Sequence, residues 1–195
     1  LIAQSHQMGM SPNIQLGMIA ALGDDGTGKN TADESDVAQA INWCIETFGA
    51  DIISLSLGGT QNDGMTREGQ SASVTRKAVD MGIFVVAAAG NDGGVDDDGR
   101  VSVPSNVARA ISVGASTRGG DVWKNSSLGS QIMPNGEQRT NPNMKPEIIA
   151  PGEGIISTGR GDSWYSSSGT SDATVFVTAA LALILEDQPR MKPNP

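Results

Sequence analysis

The sequence predicts an α/β fold, a mostly parallel sheet with helices on both faces. Short runs of Val, Ile, Leu and Ala alternate along the chain with stretches of helical periodicity. Several of these runs are continuously apolar, as expected of strands that are covered on both sides. The length, 195 residues, is that of an ordinary single domain, so residues 1–195 are assigned to one domain.

Five apolar runs are predicted to be strands. They cover residues 16–22, 51–57, 82–89, 110–115 and 147–150. Val37, Ile41, Cys44 and Phe48 recur at steps of four and three, which predicts a helix over 36–48 that Gly49 ends.

A second helix is predicted over residues 71–81 and a third over 170–185. The third has almost no polar face, which predicts a helix buried in the middle of the domain. The stretch 118–145, rich in Gly, Ser, Asn and Pro, is interpreted as a long surface excursion.

Charge and cysteine content exclude several function classes. The chain carries 13 basic and 22 acidic residues, a net charge of −9, so a nucleic-acid partner is not expected. Cys44 is the single cysteine, which excludes an internal disulfide and a zinc site built from several cysteines. No apolar stretch reaches 18 residues, so no membrane partner is expected either. The cellular compartment stays open.

Polar and small residues end two predicted strands and begin the last helix. Asn91 follows the strand 82–89, and its carboxamide is placed to donate a hydrogen bond at the carboxyl edge of the sheet. The segment 56–58 ends the strand 51–57 in the same manner. Residues 169–171 read Gly-Thr-Ser and deliver a hydroxyl to the positive end of the last helix. A nucleophile would be useful there.

These segments, with 145–152 about twenty residues before Ser171, resemble the subtilisin-like serine proteases (the subtilases) in order and spacing, over nearly the whole chain. The resemblance implies peptide-bond hydrolysis through an acyl-enzyme, with Ser171 as nucleophile and Asn91 as oxyanion donor. It also implies that an extended peptide or protein substrate is clamped as an added strand. The implied substrate-binding residues are Ser56, Leu57, Gly58, Ala88, Ala89, Gly90, Gly169 and Thr170.

The resemblance also implies that the triad aspartate and histidine precede these residues. The N-terminal part of the subtilisin-like domain is therefore expected to be absent, and an upstream catalytic segment of the same protein is the expected partner. His6 lacks the family's His-Gly-Thr context and is expected to be solvated. Asp172 stands where the family usually has Met, and would oppose the oxyanion's charge if it faced it.

Other interpretations remain open. An inactive subtilase-like domain could bind extended peptides or a protein partner without cleaving them. Residues 23–29 fit the start of a phosphate-binding loop, but Asn30 replaces its Ser or Thr, and Asp24 and Asp25 would face the phosphates. No cofactor is expected for the chemistry and no catalytic metal. Asp92 and the run 96–98 could hold a structural calcium.

Overall fold

The computed structural model describes residues 9–28, 30–59, 69–94, 99–129, 138–140, 144–159 and 161–193. Its helices are α1 (Glu34–Trp43), which continues as a π-helical segment (Cys44–Phe48), α2 (Gln70–Asp80) and α3 (Thr170–Asp187). Its strands are β1 (Gly23–Asp24), β2 (Asn30–Thr31), β3 (Ile52–Leu55), β4 (Phe84–Ala88), β5 (Ile111–Ser116), β6 (Ile148–Pro151), β7 (Ile155–Thr158) and β8 (Trp164–Ser167).

The central sheet has the order β3-β4-β5-β6, and each neighbouring pair is parallel. Ile53 lies opposite Val85, and Ala115 lies opposite Ala150. The strands β1 with β2, and β7 with β8, form two antiparallel pairs outside this sheet. The predicted α/β fold with a mostly parallel sheet is confirmed.

Helices cover both faces of the sheet. On β4, Val85 and Ala87 pack into the cluster that includes Val37 of α1 and Ala78 of α2. The alternate residues Phe84 and Val86 pack into the other cluster, with Ala173 of α3. All five residues of β4 are buried, as expected of a strand with helices on both sides.

The predicted strand 16–22 is not a strand in the structure. No strand among the described residues lies beside it, and an extended segment without a neighbour has no ladder of hydrogen bonds to form. Two contacts hold this part of the chain: Ser11 Oγ donates to Ala179 C=O of α3 (2.7 Å), and Gly17 packs against the Phe48 ring. A cavity of about 530 Å³ separates the segment from β3.

The helix α3 also differs from its prediction. One side packs on the sheet, but Leu183 and Ile184 are 42% and 46% exposed. The reason is that α3 covers one face of the sheet as an outer layer, so its far side has no described element over it. No helix in the described part of the chain is long and apolar enough to cross a membrane.

Candidate active site

Three chain segments meet at the carboxyl edge of the parallel sheet. The segments after β3 and β4 end at the same edge because the two strands are parallel. The start of α3 is held there by Gly169, whose N–H donates to Gly152 C=O just after β6 (2.8 Å). This edge therefore brings together residues that lie more than a hundred positions apart in the sequence.

Ser171, in the first turn of α3, is joined to Ser56 by two hydrogen bonds. Ser171 Oγ donates to Ser56 C=O, and Ser56 Oγ donates to Ser171 C=O, each at 3.1 Å. Ser171 is half-buried and Ser56 is exposed. The hydroxyl of Ser171 is thus at the surface, and in the described structure it donates to a carbonyl.

Asn91 lies beside the same helix start, and its amide has a defined orientation. Its Oδ1 accepts hydrogen bonds from Thr170 N–H (2.9 Å) and from Thr170 Oγ1 (3.1 Å). With the acceptor atom held by Thr170, the donor atom Nδ2 is the end left to face a ligand. A Cβ built on Gly169 would lie 3.5 Å from Nδ2, 3.6 Å from Oδ1 and 3.6 Å from Ser171 N. The Asn91 amide and the Ser171 N–H therefore lie close together at the start of α3.

Thr170, for which the resemblance implies substrate binding, is 1% exposed. Its Oγ1 accepts a hydrogen bond from Gly90 N–H (3.1 Å) while contacting Asn91 Oδ1. The hydroxyl of Thr170 is therefore buried and bonded on both sides, and it orients the Asn91 amide. Gly169 is also buried, and a Cβ there would lie at ordinary contact distance from the Asn91 amide.

The predicted walls, 56–58 and 88–90, approach each other across Ser102. A Cβ on Gly58 would lie 2.6 Å from Ser102 Cβ, and a Cβ on Gly90 would lie 2.5 Å from Ser102 Oγ. Gly90 also has a φ of +115°, which favours glycine. The sequence does not indicate this role of Ser102, because a lone serine in a loop carries no signal of a close approach.

The other wall residues lie deeper. Ala88 and Ala89 are 4% and 0% exposed, and Leu57 packs against the core. Ala89 N–H donates to Val113 C=O, and Ala89 C=O accepts from Ser102 N–H. The backbone N–H and C=O of Ala89 are therefore already bonded within this chain, and Ala89 supports the wall of the cleft from the core side.

Ser127 is a second residue that the sequence analysis missed. It is 0% exposed, although 118–145 was predicted to be a surface excursion. Its N–H donates to Gly90 C=O (3.0 Å), and its Oγ accepts from Asp92 N–H (3.1 Å). Ser127 therefore fastens the chain on both sides of Asn91. Neither its residue type nor the polar composition of the stretch indicates this contact.

Asp172 is turned toward β8. Its Oδ1 accepts a 2.6 Å hydrogen bond from Ser167 Oγ. This contact ties the β7–β8 hairpin to the first turn of α3 and engages the carboxylate away from Asn91.

The described residues give little support to the alternative phosphate-binding and metal sites. Asp24 Oδ1 accepts from Gly26 N–H, and Asp25 Oδ1 accepts from Thr27 N–H, each at 2.8 Å, so these N–H groups do not face a phosphate. No group of three His, Cys, Asp or Glu that could hold a metal lies within the described ranges. His6, Lys29 and the acidic run 96–98 lie outside the described residues.

Burial raises the pKa of the Cys44 thiol, which lowers its reactive thiolate fraction.

Curated proteins that resemble this chain are subtilisins. Subtilisin DY of Bacillus licheniformis is 32% identical over 184 residues, which cover 94% of this chain and 58% of that protein. Subtilisin E of Bacillus subtilis is 32% identical over 182 residues, 93% of this chain and 42% of that protein. The chain thus spans about half the length of these curated relatives.

Solved structures share the fold. The self-cleaved protease domain of PatA matches 98% of this chain and 66% of its own, with a TM-score of 0.75 and 27% identity. A cold-adapted subtilisin-like serine proteinase matches 86% of this chain and 52% of its own, with a TM-score of 0.67 and 24% identity. The model of the subtilase family matches residues 2–195. The chain therefore belongs to the subtilase family, the subtilisin-like serine proteases.

Proposed function

We propose that this chain is the nucleophile-bearing part of a serine endopeptidase. Ser171 Oγ attacks the carbonyl carbon of a peptide bond, and the Asn91 Nδ2 and the Ser171 backbone N–H bind the oxygen as it becomes negative. The amine leaves with a proton, and water then hydrolyses the acyl-enzyme and releases Ser171.

The orientation of the Asn91 amide is the observation that carries this proposal. An oxyanion needs a donor, so an Asn that presented its Oδ1 would repel it. Thr170 supplies two hydrogen bonds to Oδ1, and Asn91 itself is exposed to an incoming ligand. The arrangement is in place before a substrate arrives, which is what lowers the barrier.

The base belongs to a segment outside these residues. Ser171 Oγ donates to a carbonyl, which cannot take its proton, and the Asp172 carboxylate is bound by Ser167. A histidine held by an aspartate, as the family resemblance implies, would complete the site from upstream in the same protein. An extended peptide is the proposed substrate; PatA, a structural neighbour, is named a patellamide maturation protease.

A second candidate is a subtilase-like domain that binds extended peptides without cleaving them. The observation in its favour is the same Ser171 contact, because a hydroxyl that donates to Ser56 C=O is not activated. In this alternative the cleft and its glycine-lined walls serve as a peptide groove only.

A serine-directed fluorophosphonate probe separates the two. The complete polypeptide encoded by the gene is treated with the probe, and the labelled peptide is identified by mass spectrometry. We expect labelling at Ser171 that Ser171→Ala removes, because such reagents need a serine with a base in reach and an oxyanion pocket. An unlabelled Ser171, in a protein that still binds an extended peptide, would establish the binding domain instead.

A further inference from the structure

We infer that Ser127 is a positioning residue for the oxyanion donor Asn91, an assignment that rests on the proposed function. Asn91 sits at the tip of the turn 90–93, and its side chain is useful only if that turn keeps its place relative to α3. Thr170 holds the Asn91 side chain from the helix. The opposite side of the turn is held by the segment 125–127.

Three hydrogen bonds join this segment to the turn. Gly93 N–H donates to Asn125 C=O (3.0 Å), and Ser127 N–H donates to Gly90 C=O (3.0 Å). The third, from Asp92 N–H to Ser127 Oγ (3.1 Å), is the one that a side chain makes. Ser127 thus contacts the residue before Asn91 and the residue after it, without contact to the reacting atoms.

The surroundings of Ser127 allow little movement. Its side chain is 0% exposed, and its Oγ lies 2.8 Å from where a Cβ on Gly90 would stand. Without the hydroxyl, Asp92 N–H has no partner on that side, and the turn can rotate about its remaining backbone bonds. The displaced part would be Asn91, because it lies between the two anchored residues.

Ser126 provides a matched control. It is the adjacent serine and is 2% exposed, and its Oγ accepts a hydrogen bond from Ala115 N–H of β5 (3.0 Å). Ser126→Ala and Ser127→Ala therefore each remove one buried hydroxyl that accepts from a backbone N–H. Only the Ser127 hydroxyl is bonded to the turn that carries Asn91; the Ser126 hydroxyl is bonded to β5.

The test compares both variants in the complete polypeptide. We expect Ser127→Ala to lower kcat about tenfold with KM nearly unchanged, whereas Ser126→Ala changes neither by more than about twofold. In an Asn91→Ala background, Ser127→Ala should have almost no further effect. Losing the donor itself should lower kcat by about 10²- to 10³-fold, a range measured on subtilisin, a relative of this chain.

An activity-independent readout keeps the inference separate from the proposed function. The side-chain amide NMR signals of ¹⁵N-labelled Asn91, identified by their loss in Asn91→Asp, should shift or broaden in Ser127→Ala and stay in place in Ser126→Ala. Unmoved Asn91 signals in Ser127→Ala, equal kinetics of the two serine variants, or additive effects with Asn91→Ala would overturn the inference. If Ser127→Ala does not fold, Ser127→Cys replaces it, because a thiol is a weak acceptor of similar size.

Discussion

A Lys145→Met substitution is expected to lower the free energy of unfolding by about 3 kcal/mol. Lys145 is 0% exposed. Its Nζ donates to Glu147 Oε1 (2.5 Å) and to Ala110 C=O (2.6 Å). With methionine in its place, the Glu147 carboxylate keeps its largely buried position and loses the ammonium that neutralises it.

The size of this loss depends on how many hydrogen bonds and how much solvent contact the Glu147 carboxylate keeps in the variant. Breaking a buried ion pair by removing one partner costs about 3–5 kcal/mol. The lower end applies because the Glu147 side chain is 20% exposed and its Oε2 still accepts from Ser112 N–H (2.7 Å). For a chain of 195 residues, 3 kcal/mol corresponds to a drop in Tm of roughly 6–12 °C.

Urea unfolding of the single and double variants measures the loss of stability in a double-mutant cycle, with tryptophan fluorescence, to which the buried Trp123 contributes, as the probe. Glu147→Gln should cost at least as much as Lys145→Met, because it removes the negative charge beside a fully buried ammonium. The double variant should be far more stable than the sum of the single losses implies. Additive single losses, with a coupling near zero, would refute the argument that the two charges depend on each other.

The pH dependence has a defined sign. Burial, the largest effect on each group, lowers the pKa of Lys145 and raises the pKa of Glu147, while the pairing opposes both shifts. Between the lowered pKa of Lys145 and its ordinary 10.5, the unfolded chain binds more protons, so stability rises with pH. Above the ordinary 4.5 of Glu147, stability falls as the pH rises through its raised pKa. The double variant should lack both trends.

Two further substitutions test the site in the complete polypeptide. Thr170→Val should lower kcat about tenfold and the free energy of unfolding by about 1–3 kcal/mol, because Gly90 N–H loses its acceptor. The control Thr174→Val removes a buried hydroxyl that is bonded to Thr170 C=O, and it should leave kcat unchanged. Gly90→Ala should slow the phosphonate labelling of Ser171, because its Cβ would collide with Ser102. The control Gly120→Ala should leave the labelling rate unchanged, because Gly120 has a similar positive φ but open space around it. Equal effects of a variant and its control would contradict either prediction.

The sequence predicts well those strands that have neighbouring strands and covering helices among the described residues. The strand β4 is continuously apolar, and all five of its residues are buried between helices on both faces, so its pattern and its surroundings agree. Residues 16–22 are equally apolar, yet they form no strand among the described residues. A strand needs a neighbour, and local composition does not say whether one is available.

The candidate site divides in the same way. Ser171 and Asn91 lie in short local patterns, a helix start and a strand end, and these patterns indicate them directly. The direction in which Thr170 points and the burial of Ser127 depend on contacts with segments tens of residues away. Such contacts are tertiary, so the residue types alone do not predict them.

Among the described residues β3 is an edge strand with no neighbour on one side, and this affects how a preparation of these residues alone would behave. Phe84 N–H donates to Asp51 C=O, so the backbone groups of the alternate residues Ile52 and Ser54 point away from β4, toward the cavity. The strand carries neither a charge nor a proline, the features that usually keep an edge from pairing with another molecule. Two such molecules can therefore pair at this edge, and the rate at which monomer is lost would rise with the square of the protein concentration.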